Sequence, residues 1–557
     1  MRKSIITVVI LLTASGAYLT ARTQRQEKAV GAASPSTIDP EKIRAHVKFL
    51  SSDLLEGRGM GQRGSDIAAE YIATQLALDG LKPAGDQGSY FQEVPMVSIT
   101  TLPDTTMSLV PKSGEPLQLK NLDDFVIHNE TQTDVADIDA PIVFVGYGIT
   151  APEYKWDDYK GVDLKGKVAL LFVNEPTSDD PKFFKGKALT YYGRWTYKYE
   201  ETARHGAVAT LIIHRRDLAS YGWEVVRNSN GKDKSYLRLD GTPHLQGASW
   251  IQLDVAKEMA TMSGADVDQM FHQAQSRDFK PVELPVRLKA HVVSTVRPFN
   301  SRNVLAMLPG SDPNRRDETV MYTAHYDHLG IDTSANGDNI YNGAVDNGTG
   351  CAIILELARA WSQAQQSGQQ APPRSILFAA VTAEEQGLLG SEFLGKHFAT
   401  PVEKVTLDLN YDAVAPIGDP EEIEVSGAER TTFYPQVEKT AQKYGLAIRE
   451  DAQPGAGHYY RSDHFSLARV GIPSFSISEG VKFKGHDEAW GRAQAKDYVE
   501  HHYHQPSDEY RPEMDFTGLG KVAQFGYDLG LQAASQPTLV QWQSGDEFES
   551  ARKKAGQ

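Results

Sequence analysis

Cysteine is almost missing from this chain: Cys351 is the single one in 557 residues. No intrachain disulfide can form, which excludes a disulfide-stapled secreted scaffold and fits a bacterial periplasm better than a disulfide-dense extracellular milieu. A basic excess is missing too. Fifty-seven Lys and Arg stand against 73 Asp and Glu, a net charge of −16. An acidic surface repels phosphate backbones and anionic lipid, which argues against nucleic acid and, unless the N-terminal segment is uncleaved, against a stable membrane partner. No zinc-finger spacing, no basic run and no internal repeat is present. The apolar stretch from Ile5 to Leu12 falls short of the roughly 20 residues that a spanning helix needs. Cys351 itself reads as a small buried helix residue.

What is present is an ordinary globular composition, 40% hydrophobic and 23% charged. The length exceeds one core and suggests two or three domains. Arg2 and Lys3, the apolar stretch and the small residues Ala14, Ser15, Gly16 and Ala17 read as an export signal over 1–21. A polar leader follows over 22–37. The expected location is therefore periplasmic or secreted, with an uncleaved membrane anchor as the alternative.

Helical patterns are expected at 43–50 and at 67–78, the second with Ser65 and Asp66 as caps. Between 138 and 294 short Val-, Ile- and Leu-rich runs at 141–147, 167–173 and 209–214, with a helix near 197–205, suggest a small inserted β-rich domain. A turn at Pro298-Phe299-Asn300-Ser301 is expected to lead into a strand at 303–308. From there to 535, strands at 319–324, 376–382, 405–411 and 474–478 alternate with helices at 350–361, 388–398, 432–444 and 518–533. Continuous apolar strands alternating with helices predict an α/β fold: a three-layer, mostly parallel sheet with helices on both faces. The main domain covers 38–137 and 295–535, and 536–557 reads as a polar tail.

Ligand sites in such sheets lie beyond the carboxyl ends of the strands. His325 and Asp327 follow one strand, Glu384 and Glu385 a second, and Asp412 ends a third. Asp346 sits in a loop before a helix, and His504 in a turn-like segment. Three carboxylates (Asp346, Glu385 and Asp412) and one hydroxide offset two zinc ions, and two histidines complete a borderline-soft donor set. Asp346 is the natural bridge, with His325 and Asp412 on one ion and Glu385 and His504 on the other. Glu384 is then free of metal and placed to move a proton. The pair Glu384-Glu385 must sit where a strand bends into a loop, because neighbours in an extended strand point to opposite faces. Asp327 would accept the second ring N–H of His325. Each piece has a bland alternative. A histidine after a strand is usually a surface or capping residue, and Asp346 alone could be a helix N-cap. His328, His501 and His502 read as surface residues.

Five strings carry a resemblance: Thr323 to His328, Gly343 to Gly348, Thr382 to Ser391, Asn410-Tyr411-Asp412, and Tyr503 to Asp508. Together they resemble the di-zinc exopeptidase family, which includes bacterial leucyl aminopeptidase and glutamate carboxypeptidase II. The insert over 138–294 resembles the protease-associated (PA) domain of many members. The resemblance implies two Zn²⁺ on His325, Asp346, Glu385, Asp412 and His504, Glu384 as general base, a peptide substrate, and a cis bond between Asp346 and Asn347. It further suggests that Tyr459, Tyr460 and Arg461 line the substrate pocket, with Arg194 lent by the insert to grip a carboxylate. An aminopeptidase is the favoured activity. A carboxypeptidase, a one-zinc glutaminyl cyclase and a receptor-like binding protein are the alternatives, the last two disfavoured by an intact ligand set. The oligomeric state is open.

Overall fold

The computed structural model describes residues 38–556 apart from Pro181, Ser220, 231–232, Asp240, 333–336, 369–370 and 452–453. The export signal and leader expected over 1–37 lie outside the described residues. Among the described residues no helix is long and apolar enough to cross a membrane.

The chain opens with helices α1 (Pro40–Leu50) and α2 (Arg63–Leu78). The side chain of Asp39 caps α1 by accepting from the Glu41 N–H, with Pro40 at its first turn. Helix α2 starts earlier than its pattern suggests. Its N-cap is Gln62, with no side-chain cap bond, so Ser65 and Asp66 lie inside the first turn. Strands β1 (Phe91–Thr101), β2 (Thr106–Pro111), β3 (Phe125–His128), β4 (Val135–Phe144), β5 (Val168–Phe172), β6 (Ala209–His214) and β7 (Gly247–Gln252) follow, with helix α3 (Trp195–Arg204) before β6. Strands β4, β5, β6 and β7 run parallel to one another, with β3 antiparallel at the edge. This insert has its own cores, including Leu170, Phe172, Leu211 and Ile213 on one face and Leu171, Ile212 and Trp250 on the other. Strands β2 and β3 contribute to the first of these cores.

One strand joins the two units. β8 (Val282–Leu308) is 27 residues long. Its first half pairs with β2 and β4 of the insert, and its second half pairs with β1 and the main sheet. The turn expected at 298–301 is therefore absent, and the strand runs straight through it. Pro298, opposite Val97, lies in the neck between the two cores, where β8 is paired with β1 alone. A proline is tolerated in a strand with an open edge because its missing N–H need not join a ladder.

Beyond the neck come β9 (Thr319–His325), α4 (Gly350–Gln366), β10 (Ser375–Val381), α5 (Leu389–His397), β11 (Val405–Asn410), α6 (Tyr434–Lys443), α7 (His464–Arg469), β12 (Ser474–Ser476), α8 (Glu488–His501) and α9 (Thr517–Ser535). The order β12-β11-β9-β10 is all parallel, and β8 closes it antiparallel. Alternation along the strands fills two cores. Val320, Tyr322, Ile376 and Phe378 face α1, α2, α4 and α9, whereas Met321, Leu377 and Ala379 face α5 and α7. Helices thus cover both faces of a mostly parallel sheet, as the sequence pattern predicts.

The last segment differs from a polar tail. Trp542 and Phe548 are buried, Val540 donates its N–H to Thr406 Oγ1, and Gln543 donates to the Arg430 carbonyl. Polar residues between the two aromatics hide their spacing in the sequence.

Candidate metal centre

The carboxyl ends of β9, β10 and β11 point to one place, and the chain bends sharply at each. His325 closes β9. Its Nδ1 lies 3.2 Å from the Asp327 carbonyl, so a proton there leaves the Nε2 lone pair facing outward. Sequence reasoning assigned that partner to the Asp327 carboxylate, which is 3.9 Å away. That carboxylate instead accepts the N–H of Glu384 at 3.2 Å, because the bend after β9 turns the carbonyl toward the ring. Asp327 thereby links the β9 end to the β10 end. Ala383, in the left-handed region at φ 58°, makes the bend that precedes the glutamate pair. Ala413 (φ 53°) and His504 (φ 58°) share this costly conformation, and such residues concentrate at functional sites.

His325 Nε2 is 3.2 Å from Asp346 Oδ1 and 3.2 Å from Asp412 Oδ1. His504 Nε2 is 3.2 Å from Asp346 Oδ2 and 3.1 Å from Glu385 Oε2. Asp346 therefore turns one oxygen to each histidine. Ligand atoms of His325, Asp346 and Asp412 lie within 4.8 Å of one another, as do those of His328, Asp346 and Glu385. Imidazoles and carboxylates converging in this way form a donor set of the type that holds zinc. Burial pushes the Glu384 carboxyl well up, with His325 opposing and Asp412 and Glu385 adding to it. So many carboxylates in one buried place call for positive charge among them.

The loop carrying Asp346 is held from three sides. The carboxylate of Asp508 accepts the Val345 and Asp346 N–H groups, each at 3.0 Å, and its carbonyl accepts from Ala344 at 2.9 Å. The fully buried Arg58 donates to the Asn342 carbonyl at 2.6 Å, to the Gly343 carbonyl at 2.8 Å and to the Tyr326 carbonyl at 2.8 Å. Asn347 accepts from Gly350 N and donates to the Tyr411 carbonyl, next to Asp412. The peptide between Asp346 and Asn347 is cis. Cys351 is buried, as expected of a small helix residue, and its thiol donates to the His325 carbonyl at 3.0 Å.

His328 corrects the sequence reading. It is buried, not on the surface, and its Nδ1 meets Glu385 Oε1 at 2.7 Å. The bridge between Gly59 and His328 draws it inward under the 53–58 turn, a tertiary contact that a local motif does not reveal. Arg58 and Asp508 were missed as supports. A basic residue between two glycines and an aspartate four residues after His504 were the available signals.

The residues expected to line the pocket divide. Tyr459 and Tyr460 are buried, and their hydroxyls are used internally, toward the Ser474 carbonyl and Glu547 Oε1. The C-terminal segment covers them. Arg461 is exposed. It is close enough to Arg194 of the insert for the two positive charges to act on each other. Burial first and then Arg461 push the Arg194 guanidinium down to about 10. Neither arginine makes an ion pair to a carboxylate among the described residues, and Arg194 Nε is buried without a partner.

Comparison with known proteins fits this arrangement. The profile of Peptidase family M28 matches residues 303–526, which span every residue of the cluster. Leucine aminopeptidase 1 of Arthroderma otae is 30% identical over 291 residues, 50% of this chain and 68% of that protein. Leupeptin-inactivating enzyme 1 of Streptomyces exfoliatus is 32% identical over 214 residues, 36% of this chain. The match spans only 43% of that enzyme's own length. Among solved structures, the aminopeptidase from Aneurinibacillus sp. strain AM-1 aligns over 92% of this chain and 97% of its own, at 18% identity and a TM-score of 0.47. The chain belongs to peptidase family M28.

Proposed function

We propose that this protein is an exported metallo-aminopeptidase that removes residues from the amino terminus of peptides. The observation that carries the reading is Asp346, with one carboxylate oxygen 3.2 Å from His325 and the other 3.2 Å from His504. A carboxylate so placed suits two zinc ions, one with His325 and Asp412 and one with Glu385 and His504. When bound, the ions would polarise the scissile carbonyl and acidify a water. Glu384, left over from the donor set, takes a proton from the water and returns it to the leaving amine. His328 holds Glu385 from behind, and Asp508 and Arg58 fix the loop that carries Asp346. Arg194 and Arg461 receive the free carboxylate of a short peptide.

Asp508→Asn tests the supporting network. An amide presents only one acceptor oxygen, so one of the two loop N–H groups would face an NH₂. Metal affinity is expected to fall about 10- to 100-fold, as for other residues that orient ligands, with the fold retained. A chelator competition titration reads the effect, and an unchanged affinity would remove Asp508 from the site.

Substrate direction is tested with two compounds. A free-amine aminoacyl amide is expected to be cleaved and an N-blocked dipeptide spared. Cleavage of the blocked dipeptide alone would make the protein a carboxypeptidase.

A further inference from the structure

The C-terminal segment touches both units through Asp546 and Glu547. The Glu547 side chain is 5% exposed. Its carboxylate accepts from Arg430 Nη2 at 2.6 Å and the Tyr460 hydroxyl at 2.7 Å, both in the catalytic unit. It accepts as well from the Tyr191 N–H at 3.2 Å and Lys185 Nζ at 3.4 Å, both in the insert. Burial pushes this carboxyl up, but Arg430 and then Lys185 outweigh it and hold it at about 2. Asp546 adds a two-pronged pair to Arg430, at 2.8 and 2.9 Å. Around the ions, Trp542 and Phe548 share a buried cluster with Tyr459, Tyr460 and Phe465, against which Tyr191 and Leu388 pack. Leu388 lies four residues beyond Glu384.

At the same junction the insert lies flat on the catalytic unit. Leu189 donates its N–H to the Pro454 carbonyl at 3.0 Å. A Cβ on Gly457 would come within 2.6 Å of the Leu189 side chain, so the approach needs glycine there. The Tyr191 ring sits 5.2 Å from Phe465, and its hydroxyl shares Glu200 with Arg469. Arg194 follows directly, beside Arg461. Two neighbouring guanidinium groups repel, so unaided they would move apart. Within the insert Glu175 accepts from Thr190, and across the junction Asp546 lies 3.8 Å from Lys185, but Glu547 is the carboxylate that accepts from Lys185 and Tyr191 on one side and from Arg430 and Tyr460 on the other.

We propose that Glu547 is a positioning residue for substrate specificity: it clamps insert segment 185–194 onto loop 454–461 and so keeps Arg194 beside Arg461 to receive the free carboxylate of a short peptide. The inference rests on the metallo-aminopeptidase reading above. It assigns a role in substrate selection to the end of the chain, remote from the metal cluster.

The test uses the full-length, metal-loaded protein and the isosteric variant Glu547→Gln, with two substrates. An aminoacyl anilide has no distal carboxylate, whereas an unblocked dipeptide has one. For the dipeptide, KM is expected to rise about tenfold or more, the scale of losing hydrogen bonds to a charged group. For the anilide, kcat and KM are expected to stay within about twofold, because Glu547 is outside the catalytic cluster. Amide hydrogen exchange is expected to quicken in 185–194 and to stay unchanged in β9 and β10. Equal changes for both substrates, or unchanged exchange in 185–194, would overturn the inference. If the unmodified protein cleaves neither substrate, the aminopeptidase reading fails, and the exchange comparison alone decides whether the clamp exists.

Discussion

Glu384→Gln is expected to abolish turnover while leaving the metal content unchanged. The two side chains have the same shape, so the substitution removes a proton acceptor and little else. The geometry explains the specificity of the loss. Glu385 is committed to His328 on one oxygen and to His504 on the other. Its neighbour Glu384 has an oxygen within 4.8 Å of the ligand atoms of His325 and Glu385 but makes no ion pair among the described residues, and its N–H is anchored 3.2 Å from Asp327 Oδ1 at the bend after β10. A general base of this kind contributes about 10²- to 10⁴-fold to rate. Steady-state kinetics beside metal analysis reads both halves of the expectation. Retention of more than about a tenth of kcat, or loss of metal, would remove Glu384 from its role.

Asp346→Asn should cost more than activity. An amide has a single carbonyl oxygen, and Asp346 uses two, one toward His325 and one toward His504. One side of the cluster must therefore lose its shared ligand. Metal content is expected to fall by at least one equivalent per chain, and activity by at least the ~10²-fold that removing one electrostatic stabiliser costs. The side facing the amide NH₂ would meet a donor where an acceptor is needed. Full metal content with near-normal turnover would show that Asp346 does not bridge.

Much of this was legible in the sequence because local chemistry dictated it. The apolar runs at β9, β10 and β11 announce a buried parallel sheet, and His325, Glu384-Glu385 and Asp412 fall at its carboxyl ends by strand position alone. A bend at the glutamate pair was foreseeable, since two adjacent carboxylates cannot share a face in an extended strand, but Gln386-Gly387 was expected to make it and the left-handed residue is Ala383. What escaped was set by contacts distant in sequence. His328 is drawn inward by the 53–58 turn, and Arg58 reaches the Asp346 loop across 284 residues at Asn342. The proline in β8 suggested a turn, but the open edge of the neck tolerates it. Tyr459 and Tyr460 looked like pocket walls until the C-terminal segment covered them. A run as polar as the stretch between Trp542 and Phe548 gives no periodic signal, although Glu547 within it is tied to four donors.

The central claim is that one buried cluster holds two divalent ions through Asp346. Metal-stripped protein titrated with zinc, with bound metal and hydrolysis of an aminoacyl amide followed together, tests it most directly. The account predicts two equivalents bound per chain, with full activity reached only as the second site fills. Saturation at one equivalent with full activity, or hydrolysis that survives complete metal removal, would contradict it.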